Sequence, residues 1–445
     1  MTTVRKASAI AGRVLPRALF EGGAWKNPAA FRNWTDPTVW ETILMLVEQT
    51  GVKWKRPDNS LVSIDRCETE WTALAAGPPV GESIQATWVG HSTVLVQCRH
   101  GERVVNCLTD PIFSQRATFV PWRLWGPKRF TEPSFSLAEL AANGVPVDVV
   151  LISHNHYDHL DSDSVEELHR LNPHALWCVP AGLIEWFTNC GIDASRVRDA
   201  DWWSGLELSA SDLPPSSCNA DDGNELRITI DCLPAQHWSS RTFALDYCTS
   251  LWCSWAVRTG VVPSASGRAL TDGVERREWS PPSGSSGGSS GSASTECGAR
   301  RDEENEVASP MASSSFWFAG DTGYDDRVFE LIGDVYSAEQ MCSADGGAGG
   351  SAGGSADDSA FDLALVPVGA YEPRWYTKPM HCTPEEAVEI HRGVRAKHSI
   401  GIHWGTFALA DEDPYEAPAR VAGAVDNGES FTTPRVGEVW AASRL

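Results

Sequence analysis

No run of about 18 apolar residues occurs anywhere in this 445-residue sequence, and a helix needs roughly that length of uncharged chain to cross the hydrocarbon layer. Any contact with a bilayer is therefore expected at its surface, as a peripheral one. Basic residues are also scarce: 36 Lys and Arg stand against 59 Asp and Glu, for a formal net charge of -23. A chain of that sign repels a polyphosphate backbone, which excludes nucleic acid as a general partner. CxxC pairs are missing, and the 12 cysteines follow no compact spacing. Scattered cysteines of this kind read as thiols in a reducing, intracellular compartment and not as a disulfide framework. The start of the chain lacks the apolar core of a secretory signal. It carries Arg5, Lys6, Arg13 and Arg17 with no acid before Glu21, a pattern shared by mitochondrial transit peptides and by plain basic tails, so residues 1–24 are set apart as one or the other.

With 42% hydrophobic residues, what remains can bury a large core, and its patterning is that of a mixed α/β protein. Residues 25–83 are irregular and Trp-rich, with one helical stretch at Val39, Ile43, Leu44, Leu46 and Val47, and read as an N-terminal extension packed on a main domain over 84–445. Strands are expected at Ile84 to Cys98 as a pair, at Val147 to Ile152, around Leu226, Ile228, Ile230 and Cys232, and at Trp252 to Val257. Further ones are expected at Phe316 to Ala319, Leu363 to Val368 and Ser399 to His403. Amphipathic helices are expected around Val165 to Leu171 and Pro384 to His391. Two stretches break the rhythm, 262–315 with SGSSGGSSGSAS and 338–359 with GGAGGSAGGS. Both are too polar to order themselves and read as flexible insertions between strands of one domain.

Chemistry concentrates in one hexapeptide. His154-Asn155-His156-Tyr157-Asp158-His159 follows directly on the apolar run Val149 to Ile152, and imidazole with carboxylate at that density suits zinc, with iron or manganese as alternatives. Further candidates stand just past other expected strands: His237 after Leu233, Asp321 after Ala319, and His403 after Ile402. A lone histidine after a strand is more often a satisfied turn or core residue than a ligand. Read jointly, however, these positions converge on one edge of a layered sheet. His91, His100, His169, His174, His391 and His398 keep the ordinary structural reading, though the turn at His91 can face the site from behind the ligands. His381 precedes Thr383-Pro384-Glu385-Glu386, a capping-box pattern with proline at the first helical position, so it stands before a helix end that attracts anions.

These residues, with the longer blocks LTDPIFSQRA, GPKRF, LISHNHYDHLD, LPAQHW, FAGDTGY, VGAYEPRW and IGIHWGTFALADE, resemble the N-acylphosphatidylethanolamine-hydrolysing phospholipase D family of the metallo-β-lactamase superfamily. The resemblance runs from about Trp25 to Asp413 and is interrupted by the two insertions. It implies an αββα sandwich with two Zn2+ ions at one edge, the first held by His154, His156 and His237, the second by Asp158, His159 and His403, with Asp321 bridging. It also implies substrate-phosphate contacts at Tyr157 and His381, and a phospholipid substrate.

Two metal ions about 3.5–4 Å apart bring a shared water close to neutral ionisation, so the nucleophile would be hydroxide, with Asp158 as ligand and proton acceptor and no covalent enzyme intermediate. One local feature fits a lipid-water interface: Arg116, Phe119, Trp122, Arg123, Trp125, Lys128, Arg129 and Phe130 interleave cations and aromatics without an acid. The 20 tryptophans point weakly the same way, since Trp fills cores as readily as interfaces. The alternatives are another two-metal hydrolase of the same fold, such as a lactonase or a different phosphodiesterase, and a non-catalytic lipid-binding protein. A homodimer is compatible with all of these readings.

Overall fold

In a computed structural model of the chain, the structure describes residues 9–10, 13–38, 40–42, 44, 66–79, 81–118, 126–209, 212–213, 224–242, 245–263, 275–278, 314–344 and 358–441. Two sheets dominate. The seven-stranded one runs in the order Val197–Ala200, Leu176–Pro180, Val149–Leu151, Arg103–Thr109, Thr93–His100, Ile84–Gly90, Val439–Ala441. The eight-stranded one runs Glu275–Glu278, Ser204–Ser209, Asn224–Leu233, Ser254–Pro263, Ser314–Phe318, Phe361–Pro367, Ala396–Ile402, Ser430–Thr432. Their facing sides share one core, in which Trp88, Trp255, Phe316, Phe318 and Phe361 are fully buried. Each such side chain taken out of water contributes about 1.5–3 kcal/mol.

Helices Leu137–Ala142, Ser162–Leu171 and Ile184–Asn189 cover the outer face of the first sheet and pack there on Trp177, Val150 and Leu108. Helices Asp326–Ala344, Pro384–Gly393 and Glu416–Ala424 accompany the second. The layers are therefore helix, sheet, sheet, helix, as expected. Among the described residues, no helix is long and apolar enough to cross a membrane.

Strand direction decides where the chemistry gathers. Ser314–Phe318, Phe361–Pro367 and Ala396–Ile402 are parallel neighbours. Asn224–Leu233 runs the same way, because it is antiparallel to Ser254–Pro263, which is antiparallel to Ser314–Phe318. In the other sheet Arg103–Thr109 and Val149–Leu151 are parallel, and Ile84–Gly90 shares their direction through two antiparallel steps. Parallel strands end on a common edge, the usual place for ligands in α/β sheets. The sheets are tied there by backbone, Cys253 N–H donating to the Ser153 carbonyl at 2.9 Å.

The extension packs on this body. Leu19–Glu21 and Ala24–Lys26 form a hairpin, the Trp25 N–H donates to the Cys248 carbonyl at 2.7 Å, and Asn27 Nδ2 donates to the His237 carbonyl at 2.7 Å. The helix expected at 39–47 falls largely outside the described residues.

Two readings from composition need correction at their margins. Strand Glu275–Glu278 lies inside the 262–315 stretch and pairs with Ser204–Ser209, since an open sheet edge can order polar chain through backbone hydrogen bonds alone. Helix Asp326–Ala344 continues into 338–359, where Ala338, Glu339, Gln340 and Met341 are good helix formers that prolong a helix already nucleated. The remainder of both stretches lies outside the described residues.

Candidate metal centre

Six of the strands that end at the common edge deliver a polar side chain there. Ile84–Gly90 leads to His91, Arg103–Thr109 to Asp110, Val149–Leu151 to His154, Asn224–Leu233 to His237, Ser314–Phe318 to Asp321 and Ala396–Ile402 to His403. His91, Asp110 and His403 take positive φ values of 53°, 30° and 62°. Such conformations are strained for residues with a Cβ and cluster where function requires a particular side-chain direction. Gly320 shows the same pressure: at φ +61°, a Cβ on it would lie 2.5 Å from Ser153 Cβ. Only glycine lets the Asp321 turn approach the histidine loop this closely.

Inside the edge two groups form. His154 Nε2 lies 2.8 Å and His237 Nε2 3.3 Å from His156 Nδ1. One proton can satisfy a single pair of these lone pairs, whereas a tetrahedral cation with bonds of about 2.0–2.1 Å draws three nitrogens to roughly this mutual distance. In the second group Asp158 Oδ2 stands 3.1 Å from His91 Nε2, 3.4 Å from His159 Nε2 and 3.5 Å from His403 Nε2. Asp321 Oδ2 lies between the groups, 3.1 Å from His159, 3.2 Å from His403, 3.8 Å from His237 and 4.0 Å from His154.

Several atoms of the site are buried without a hydrogen-bond partner: His159 Nε2, His403 Nε2, Asp321 Oδ1 and His381 Nδ1. Orphaned polar atoms are rare in a packed interior and costly there. This convergent, unsatisfied donor set fits two cations. His154, His156 and His237 could hold one, and Asp158, His159 and His403 the other, with Asp321 between them.

The outward nitrogens are pinned, which aims the inward lone pairs. His159 Nδ1 donates to Asp110 Oδ2 at 2.6 Å, His237 Nδ1 to the Met380 carbonyl at 3.0 Å, and His154 Nδ1 meets Ser153 Oγ at 2.9 Å. Ser153 in turn donates to Asp110, so one buried carboxylate orients two candidate ligands.

Burial is the largest influence on these groups and opposes charge in all of them. It carries the day at His154, at His156, lowered to about 4, and at His237, lowered to about 3, leaving neutral imidazoles that can donate to a cation. At Asp158 and Asp321 the surrounding histidines, His159 and His403 among them, together outweigh burial and hold both carboxyls well below the usual range. His403 is raised to about 9, the charges of Asp321 and Asp158 overcoming burial.

Of the other residues singled out from the sequence, His381 is brought in, with Nδ1 at 4.0 Å from Asp321 Oδ2. The expected capping box at Thr383 and Glu386 is present behind it, and Arg374 Nη1 donates to the His381 carbonyl at 2.6 Å. Tyr157 borders the site, but its hydroxyl donates to the Arg241 carbonyl at 2.7 Å and does not point at the cluster.

His91 corrects its ordinary structural reading, since it touches Asp158 directly. The basic-aromatic segment is corrected in part. Residues 119–125 lie outside the described residues, while Arg129 is buried and spends its guanidinium on the Ser114 and Ile112 carbonyls, each at 2.8 Å. Asp110, Ser153 and Arg241 were not legible as site residues. Asp110 carried the same signal as the others, a lone carboxylate directly after a strand, inside LTDPIF.

The model for the beta-lactamase superfamily domain matches residues 105–265 and 354–404. Over 431 residues the chain is 32% identical to the N-acyl-phosphatidylethanolamine-hydrolyzing phospholipase D 1 of Caenorhabditis elegans, covering 95% of this chain and 93% of that one. The chain belongs to that family. The mitochondrial N-acyl-phosphatidylethanolamine-hydrolyzing phospholipase D of Saccharomyces cerevisiae is 29% identical over 326 residues, 73% of this chain and 48% of the yeast protein. Among solved structures, a metallo hydrolase of the archaeon Ignicoccus hospitalis superposes with a TM-score of 0.42 at 17% identity, covering 81% of this chain and 98% of its own. As a member of the phospholipase D family with a metallo-β-lactamase fold, the protein is a metal-dependent hydrolase.

Proposed function

We propose that this hydrolase uses two zinc ions to cleave N-acylphosphatidylethanolamine into phosphatidic acid and an N-acylethanolamine. The observation that carries the reading is the setting of the cluster. It opens into a cavity of about 370 Å³ whose other walls include Pro127, Trp238, Pro373, Tyr376, Met380 and Leu409. An apolar wall beside a cationic centre matches a substrate that is acyl chain on one side and phosphodiester on the other.

A pair of divalent ions, when bound, supplies hydroxide from water near neutral pH and offsets charge building on the phosphoryl oxygens. The chain's own residues do the rest. Water gives a proton to Asp158 and adds at phosphorus, the P–O bond to the N-acylethanolamine breaks, and the departing oxygen takes up a proton that Asp158 returns through solvent. Asp158, ionised beside His159, is the proton acceptor on the water side. His381, neutral through burial with its value lowered to about 3, would donate a ring N–H from its unpartnered Nδ1 to a phosphoryl oxygen. Tyr157 contributes its ring as a wall.

The same reading places the cavity mouth on a bilayer. Trp40, Leu44, Leu245 and Trp375 are exposed by 79%, 50%, 87% and 47%, and exposed apolar side chains mark a contact surface where they gather. Thr42 and Tyr376, between and beside them in sequence, line the cavity and face each other at 3.4 Å. Trp238, another wall residue, packs on Tyr247 with ring centres 5.5 Å apart, next to Leu245 in the chain. Most tryptophans elsewhere are core, among them Trp88, Trp177, Trp252, Trp255 and Trp317.

The yeast relative is named as mitochondrial, and the cations of residues 1–24 suit such an address. Fusing that segment to a fluorescent protein separates targeting from a basic tail.

The deciding experiment is metal analysis of the purified protein together with mass spectrometry of the products from N-acylphosphatidylethanolamine vesicles. Two equivalents of zinc with equal release of phosphatidic acid and N-acylethanolamine is the expected result. Metal binding with turnover of lactones or nucleotides but not of this lipid would transfer the assignment to a rival hydrolase of the same fold.

A further inference from the structure

We propose that Arg241 is the positioning residue that holds the histidine loop in metal-binding shape. Its Nη1 donates to the carbonyls of Asn155 at 2.8 Å and Leu160 at 2.6 Å. Those two carbonyls bracket His156, Asp158 and His159 in the sequence, so one guanidinium grips both ends of the segment that supplies ligands to both groups. The grip is reinforced from the side. The guanidinium carbon lies 4.1 Å from the Tyr157 ring centre and 5.2 Å from that of Trp186, and the Tyr157 hydroxyl donates back to the Arg241 carbonyl.

Arg241 is itself fixed. Asp246 accepts from the Arg241 N–H, the Thr242 N–H and Ser240 Oγ, each at 2.8 Å. Because His237 stands four residues upstream, this turn couples the two chain segments that bring His154 and His156 to His237. A lysine cannot reproduce the coupling, since a planar fork that stacks and donates in several directions is peculiar to arginine.

The inference rests on the metal-binding reading, and zinc itself is the probe. Chelator competition gives the zinc affinity of the full chain and of Arg241→Lys, Arg241→Ala and Asp246→Asn, with circular dichroism and melting of each metal-free protein as the folding control. Disturbing groups that orient metal ligands typically lowers metal affinity about 10–100-fold. We expect Arg241→Lys to fall in that range, Asp246→Asn to fall less and in the same direction, and guanidinium salt to restore part of the affinity of Arg241→Ala. On a short soluble phosphodiester, kcat should drop with KM nearly unchanged.

Zinc affinity of Arg241→Lys within about threefold of the parent would overturn the proposal. So would a normal affinity with raised KM alone, which would make Arg241 a substrate contact, or loss of the metal-free fold in every variant, which would make it a folding residue. Failure of the unaltered chain to bind zinc would instead strike the underlying metal reading.

Discussion

Replacing Asp321 by Asn tests the centre where its geometry is most demanding. The substitution preserves shape and removes one negative charge from an oxygen that stands 3.1–4.0 Å from His154, His159, His237 and His403. Two unit charges about 4 Å apart interact by roughly 4 kcal/mol at an effective dielectric of 20, and the carboxylate would be shared by two dications whose mutual repulsion it offsets. A hundredfold loss needs only about 2.7 kcal/mol. The expected outcome is therefore loss of at least one metal and a fall in turnover of about a hundredfold or more.

Metal content after gel filtration, measured by mass spectrometry alongside the rate, reads both. His169→Ala, on helix Ser162–Leu171 with no ligand role, is the silent control. Two retained metals with turnover within a few-fold of the parent would refute the bridging role. Asp158 would then be the remaining carboxylate, although its contacts run to His91, His159 and His403 and not to the His154 group.

Gly320→Ala should act on the same site without touching a ligand: its Cβ would meet Ser153 Cβ at 2.5 Å and the Cys253 carbonyl at 3.1 Å, so zinc affinity should fall about tenfold or more, and an unchanged affinity would show that the loop can yield. His391 reports on stability and pH. It is buried against Ser399 Oγ at 2.7 Å, and burial depresses it from 6.5 to about 4. Its neutral form is favoured by folding, so its contribution is complete above pH 6.5 and is lost as the pH falls from 6.5 towards 4, by at most about 3 kcal/mol. His391→Gln should abolish that part of the acid-induced drop in melting temperature between about pH 7.5 and about pH 5, and an identical slope would refute it. At the cavity mouth, Trp40→Ala with Trp375→Ala should weaken vesicle binding by about tenfold while sparing a short soluble substrate, and equal losses on both would mean that these side chains support the fold.

What was legible in the sequence followed from periodicity and from clustering. The strand Asn224–Leu233 alternates, and the Val149–Leu151 run is wholly apolar because it is covered on both faces. The loop after it packs so many donors into six residues that no structural explanation suffices. What was not legible depends on distant partners. Asp110 gains its role only from His159, 49 residues away, and Arg241 from carbonyls 81 and 86 residues upstream. Arg241 leaves no local trace, and Asp110 leaves only the strand-end position that it shares with the others. Arg129 misled for the converse reason: a cation among aromatics looks like an interface until its guanidinium is seen closing backbone carbonyls in the interior. Helix Asp326–Ala344, not expected from the sequence, runs into the 338–359 stretch because a low-complexity run constrains burial, not local propensity.

The candidate ligands come from strand ends of both sheets, and this arrangement links folding to chemistry. Neither sheet alone completes the His154, His156 and His237 group or the Asp158, His159 and His403 group. The first sheet brings His91, Asp110 and the His154–His159 loop, the second His237, Asp321 and His403. They meet because the shared aromatic core sets the spacing of the sheets, while Cys253 N–H to the Ser153 carbonyl and Trp255 Nε1 to the Ile152 carbonyl, at 2.9 and 2.8 Å, set their relative height at the edge. Interiors packed to crystal-like density transmit small displacements instead of absorbing them. An error of a few tenths of an ångström in how Trp255 seats under Ile152 would thus reappear at His154, two residues further on. Precision at the metal centre is a property of the sandwich interface as much as of the ligands.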